Sequence, residues 1–143
     1  MTFTNGGGEV ISTRGRYALR VMIDLAEQDS AKFIPLEEIA VRQGISKKYL
    51  EIVLKSLVQQ NFLRGLRGRG GGYKLTRRPE EYTVGEILEV TEGTLAVVSC
   101  LQDGAAPCER KDFCKTLPMW EKFNRMTHDF FFGITLKDLT DPI

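Results

Sequence analysis

The segment from Pro35 to Leu57 reads PLEEIAVRQGISKKYLEIVLKSL. Pro35 suits the first turn of a helix, where its missing N–H would have no helical acceptor in any case. Leu36 to Arg42 continue that short helix until Gly44, because glycine accepts the left-handed backbone of a helix exit. Ser46 then restarts a helix, its hydroxyl able to accept an amide hydrogen of the following turn. Leu50, Val53, Leu54, Leu57 and Val58 fall on one face of that second helix and form its buried stripe. The unit is helix, tight glycine turn, helix.

Outward from this unit the pattern stays helical with one interruption. From Ser12, residues Ala18, Leu19, Met22, Ile23, Leu25 and Ala26 recur at helical spacing, and that helix ends before Asp29-Ser30. On the other side Asn61 ends the third helix. Phe62-Leu63-Arg64 enters a strand whose partner is Tyr73-Lys74-Leu75-Thr76, and the glycines between them make the turn. Thr83-Val84-Gly85-Glu86 is a capping box for a helix through Ile87, Leu88 and Val90 that closes at Gly93. A cysteine-bearing loop follows from Leu95 to Leu117. Pro118 then suits the first turn of a helix, in which Trp120, Phe123, Thr127, Phe130 and Phe131 recur every three or four positions up to Gly133. Such aromatic density near the end of a small chain points to a partner helix. Thr135 to Asp138 reads as another short capped turn. Residues 1–10, with three consecutive glycines, lack periodicity and read as a flexible leader. The expected organisation is therefore a leader (1–10), a winged helix-turn-helix (11–82), and a cysteine-bearing loop with dimerisation helices (83–143), mainly α with a small β-hairpin wing.

Charge is segregated along the 143 residues behind a net value of +1. Residues 42–78 carry ten Lys or Arg against one acid, Glu51, whereas residues 79–114 hold eight acids and two bases. Within the basic block lies Arg64-Gly65-Leu66-Arg67-Gly68-Arg69-Gly70-Gly71-Gly72-Tyr73, a glycine-studded hairpin. A helix-turn-helix followed by a basic hairpin reads as a duplex-DNA-binding surface. The start of the second helix, Ser46, Lys47, Lys48, Tyr49 and Glu51, would face the groove. Lys47 and Lys48 would grip phosphate or guanine, while Glu51 could accept a hydrogen bond from cytosine N4, or else pair with Lys47 or Lys55 at helical spacing. Arg67, Arg69 and Gly70 would form the wing tip, where small residues let the backbone approach the sugar-phosphate chain and an arginine reach the minor groove.

Other function classes fit less well. The glycines match neither the Walker loop nor the dinucleotide fingerprint. With one histidine and no recognisable nucleophile–base pairing, the chain reads as a non-enzyme. The wing lacks the interleaved aromatics that stack single-stranded bases. No run of about 18 apolar residues is present, and no apolar signal centre precedes the first helix, so the expected compartment is the cytoplasm and no membrane partner is expected. Three cysteines within fifteen residues, Cys100, Cys108 and Cys114, make a poor disulfide framework and a better metal or redox cluster.

Several of these segments taken together resemble the Rrf2 family of bacterial transcription regulators. They are Ser12-Thr13-Arg14-Gly15-Arg16-Tyr17-Ala18-Leu19, Ile39-Ala40 with Gly44-Ile45-Ser46, Tyr49-Leu50-Glu51, Leu57, the wing from Arg67 to Tyr73, and Val84-Gly85-Glu86-Ile87. The resemblance covers about residues 11 to 140. It implies a homodimer on a pseudo-palindromic operator, with a long C-terminal helix crossing its mate. It also implies that Tyr49 and Glu51 lie at the DNA-facing start of the recognition helix and that Arg67 enters the minor groove.

Many members of that family carry three cysteines in the loop before the dimerisation helix, ligating a 2Fe-2S or 4Fe-4S cluster. The resemblance thus assigns an iron–sulfur cluster to Cys100, Cys108 and Cys114, and thiolates are soft ligands suited to it. The spacing here is Cys-x7-Cys-x5-Cys, two residues longer in the first gap than in the best-known members. The fourth ligand also departs: one branch has a histidine where this chain has Leu117, and another an aspartate where it has Arg16. Asp103, Glu109, Asp112, a small-molecule thiol, an open iron site or His128 remain as candidates. Zinc, idle thiols and a metal-free cysteine switch are the competing readings. The rival function is a metal-free regulator that responds through thiol oxidation, a small ligand or a protein partner.

Overall fold

The computed structural model describes residues 10–141; most of the leader expected over residues 1–10 lies outside the described residues. Among the described residues six α-helices and one hairpin follow in chain order: α1 (Thr13–Ala26), α2 (Leu36–Gln43), α3 (Lys47–Gln59), β1 (Leu63–Leu66), β2 (Gly72–Leu75), α4 (Val84–Glu92), α5 (Leu117–Phe132) and α6 (Leu136–Thr140). Short 3-10 turns lie at Pro79–Glu81 and Ser99–Leu101.

The helix boundaries follow the local chemistry. Ser12 caps α1 by accepting from the Gly15 N–H, and Ser46 caps α3 by accepting from the Tyr49 N–H. Gly44 leaves α2 with φ +64°, and Asn61 turns the chain out of α3 at φ +63°. Pro35 stands one position earlier than the sequence suggests, as the extended residue just before α2. Reciprocal capping boxes open α4 (Thr83, Glu86) and α6 (Thr135, Asp138). Strand β1 begins at Leu63 rather than Phe62, because Phe62 drops into the core.

One core collects Ala18, Val21, Met22, Ile39, Leu50, Val53, Leu54, Leu57, Tyr82, Ile87 and Leu136. Helices α4 and α6 thus share the interior of α1 to α3. The chain end is drawn back to it by hydrogen bonds from Val84 N to Ile134 O (2.9 Å) and from Leu136 N to Tyr82 O (3.0 Å). The hairpin is antiparallel with Leu63 opposite Leu75 and Leu66 opposite Gly72. A bridge between Ile34 and Tyr73 docks it on the segment before α2. Gly72 is required there: at φ +150°, a Cβ would sit 2.2 Å from the Ile34 carbonyl oxygen. Helix α5 has no fully buried residue and stands on the outside of this body.

Candidate nucleic-acid interface and cysteine loop

Four of the ten cations in residues 42–78 are ion-paired within the fold. Buried Asp24, 2% exposed, accepts from Arg42 Nε and Nη2 at 2.9 Å each and from Gln43 Nε2 at 2.9 Å. Asp24 thereby holds the Arg42 guanidinium more firmly protonated, and Glu38 adds a second partner at 3.3 Å. Arg20 donates to the side chain and the main-chain carbonyl of Gln43, so α1 and the end of α2 are clamped before the turn begins. Lys47 pairs with Glu37 (3.7 Å), Arg77 with Glu86 (3.2 Å) and Arg78 with Glu81 (3.4 Å).

What remains is a free basic surface. Among the described residues no ion pair is formed by Lys48, Lys55, Arg64, Arg67, Arg69 or Lys74. Lys48, Lys55 and Glu51 are exposed on α3, and Arg67 and Arg69 are exposed on the wing tip. Glu51 pairs with neither Lys47 nor Lys55, so the helix-surface ion pair weighed for it does not form. Ser46 spends its hydroxyl on the cap. Tyr49 is half-buried, its ring edge-on to Tyr17 at 5.3 Å, and Arg20 covers the other ring at 5.1 Å. Such packing fixes the angle of α3 against α1.

The wing tip is shaped by its glycines. Gly68 and Gly70 adopt φ +88° and +75°, and the Gly71 N–H closes the turn on the Gly68 carbonyl at 2.9 Å. A Cβ at Gly71 would meet the Leu66 carbonyl oxygen at 2.2 Å. At the wing's base the buried Tyr82 hydroxyl donates to Phe62 O (2.7 Å) and accepts from Thr76 N and Arg77 N. Arg77 lies over both the Phe62 and Tyr82 rings at 4.9 Å. Sequence reasoning missed this hub; a tyrosine just before a capping box was its only signal.

The three cysteines share the segment between α4 and α5 without converging. All are unbridged thiols; Cys100 and Cys108 are exposed and Cys114 is partly so. Among the described residues no three His, Cys, Asp or Glu side chains stand close enough to hold a metal ion. The Cys114 thiol is shifted toward thiolate by the Thr116 hydroxyl at 3.5 Å, then by the Thr116 and Leu117 amides, with Arg110 adding charge. Asp103, Glu109 and Asp112 are exposed on the same loop. His128 instead stacks on Phe132 at 4.3 Å beside Asp129. The loop is tied at both edges: Val97 N donates to Asn124 Oδ1 of α5 (2.9 Å), and Glu92 at the end of α4 accepts from Ser12 N (3.0 Å) and Ser12 Oγ (2.7 Å) at the start of α1.

Helix α5 divides the aromatic residues between two faces. Trp120, Thr127 and Phe131 are half-buried, and Phe132 packs where a Cβ on Gly85 would intrude at 2.3 Å. Phe123 and Phe130 point outward with Met119 and Met126, at 49% to 63% exposure. The two methionines were not singled out from sequence, although their 4-3-4 spacing with the two phenylalanines is that of a helix–helix seam.

The helix-turn-helix, the glycine-tipped hairpin and the free cations define a winged-helix DNA-binding transcription regulator. Residues 11–142 match the family described as Rrf2, iron-dependent transcriptional regulator, and the chain belongs to that family. It is 32% identical over 131 residues to the HTH-type transcriptional regulator IscR of Pectobacterium atrosepticum, covering 92% of this chain and 79% of that protein. Among solved structures it is similar to CymR, the global cysteine regulator of B. subtilis, with a TM-score of 0.73 at 31% identity, covering 91% of this chain and 95% of that one. T. potens IscR gives a TM-score of 0.72 at 32% identity, covering 94% and 88%. These relatives are regulators, and the chain is a DNA-binding regulator of their type and not an enzyme. No described helix is long and apolar enough to cross a membrane.

Proposed function

We propose that the protein is a homodimeric, cytoplasmic repressor that binds a pseudo-palindromic operator and holds an iron–sulfur cluster on Cys100, Cys108 and Cys114. The observation that carries this reading is the position of three unbridged thiols on the one segment joining α4, part of the DNA-binding core, to α5 with its exposed apolar stripe. In this reading residues 11–82 contact DNA and residues 83–143 sense and pair. Lys48 and the tip residues Arg67 and Arg69 engage the duplex, with Gly70 allowing close approach and Glu51 selecting cytosine. Lys47 must leave Glu37 to join them.

The residues suit the cluster in their chemistry: soft thiols, one already biased toward the ligating thiolate, in a family described as iron-dependent. Bound there, a cluster supplies a redox-responsive centre. The loop's own contacts carry the consequence. Val97 is bonded to Asn124 of α5 and Glu92 to Ser12 at the start of α1, so a rearrangement of the three cysteines would be felt at both helices. Two copies packed through Met119, Phe123, Met126 and Phe130 would set their recognition helices roughly 34 Å apart, and such a rearrangement alters that spacing.

The test is purification without oxygen, with iron, acid-labile sulfide and visible absorption measured per chain. Cluster-loaded and cluster-free protein then titrate the duplex selected from a random pool at fixed salt. A 5- to 150-fold difference, the span of about 1–3 kcal/mol of coupling, is expected. Equal affinities would end this mechanism. A colourless protein that resists reconstitution favours the second reading, supported by the separated cysteines and the polarised Cys114 thiol: a metal-free switch working by thiol oxidation.

A further inference from the structure

The wing sets Arg64 directly opposite Lys74 across its two strands. Opposed residues of an antiparallel pair share a face, and like charges placed there weaken the pairing. No acid relieves them: among the described residues neither Arg64 nor Lys74 forms an ion pair. On its far side Lys74 is held by Phe33, whose ring centroid lies 4.7 Å from Nζ, which positions the ammonium without neutralising it. The other face of the hairpin, with Leu63, Tyr73 and Leu75, packs on the core. Phe33, Lys74 and Arg64 therefore lie side by side on the face of the hairpin turned away from the core, Arg64 exposed and Lys74 partly so.

We propose that Arg64 and Lys74 form a two-cation clamp for the phosphodiester backbone beside the groove that the wing tip enters. An anion seated between them would offset the repulsion of the two facing cations. The clamp reads charge and not base identity, since phosphate contacts set position and affinity without carrying sequence. This inference rests on the DNA-binding reading of the wing.

The experiment uses the full chain and a mixed-sequence DNA duplex, with affinity followed against salt. Each phosphate contact contributes about 0.9 to the log–log salt slope, so Arg64→Gln with Lys74→Gln should lower the slope by about 1.8. Arg64→Lys with Lys74→Arg, which keeps both charges, should retain the parent slope. A glutamine double variant with the parent slope overturns the clamp while leaving the tip and recognition helix in place. A parent chain that fails to bind any duplex overturns the DNA-binding reading and the clamp with it.

Discussion

The two halves of the chain differ in how much of their structure they finish by themselves. From α1 to α4 every helix buries a stripe, every helix start but that of α2 has a side-chain cap, and four of ten cations in the basic block are ion-paired. From Gly93 to Phe132 the pattern inverts. The cysteines stand apart, no residue of α5 is fully buried, and a 4-3-4 row of Met and Phe faces outward. A region that builds its own core is a scaffold; one that leaves thiols and a row of apolar side chains exposed is where the proposed partner and cluster would add contacts.

The largest expected effect tests that contrast directly. Leu54 is fully buried on α3, and Leu54→Ala should cost about 2–5 kcal/mol at any protein concentration, read by urea unfolding. Phe123→Asp with Phe130→Asp should leave the helical content intact yet convert the proposed dimer to monomer in analytical ultracentrifugation. If the double variant stays dimeric, the seam on α5 is misplaced and the two halves are less different than they look.

Next in size is the clamp under the turn. Asp24→Ala strands the donors of Arg42 and Gln43, and a loss of about 2 kcal/mol is expected, limited because Arg42 is a third exposed and can turn to water. Thermal melting at fixed salt measures it. A smaller and qualitatively different change is expected from Glu51→Ala, whose carboxylate has no partner among the described residues. Stability should hold within about 0.5 kcal/mol while the preference among selected operator sequences relaxes. An unchanged preference would leave Glu51 without a role in selection.

These residues also mark where sequence was sufficient. The helix-turn-helix, the wing and the α4 cap were legible because each depends on neighbours within a few positions: Gly44 with Ser46, the glycines of the tip, Thr83 with Glu86. The clamp of Asp24 on Arg42, eighteen positions away, and the link from Ser12 to Glu92 were not, since no local pattern encodes a pairing made by the tertiary fold. The basic block was legible as charge, but which cations are spent on structure depends on acids from other elements. The three cysteines could be read as a group from their closeness in sequence, whereas whether they gather with other ligating side chains depends on the path of the loop, which no local pattern encodes.

The smallest expected effect concerns the joint between the halves. Burial pushes the Glu86 carboxyl up, but the Thr83 amide and hydroxyl and the Arg77 guanidinium outweigh it, so its folded pKa lies below the ordinary 4.5. A depressed folded pKa means that the unfolded chain takes up the proton first as pH falls. The stabilisation is therefore fully present above about pH 4.5 and is lost as pH descends through the folded value. Glu86→Gln should lower the melting temperature slightly at pH 7 and narrow its gap to the parent as pH is brought below 4.5. Because Glu86 also caps α4 and, through Arg77, holds the wing's base at Tyr82, this loss should be accompanied by faster amide exchange at Thr76 and Arg77, whose N–H groups rest on the Tyr82 hydroxyl. A gap that stays constant with pH would mean that the carboxylate's charge contributes nothing and that the cap works through its hydrogen bonds alone.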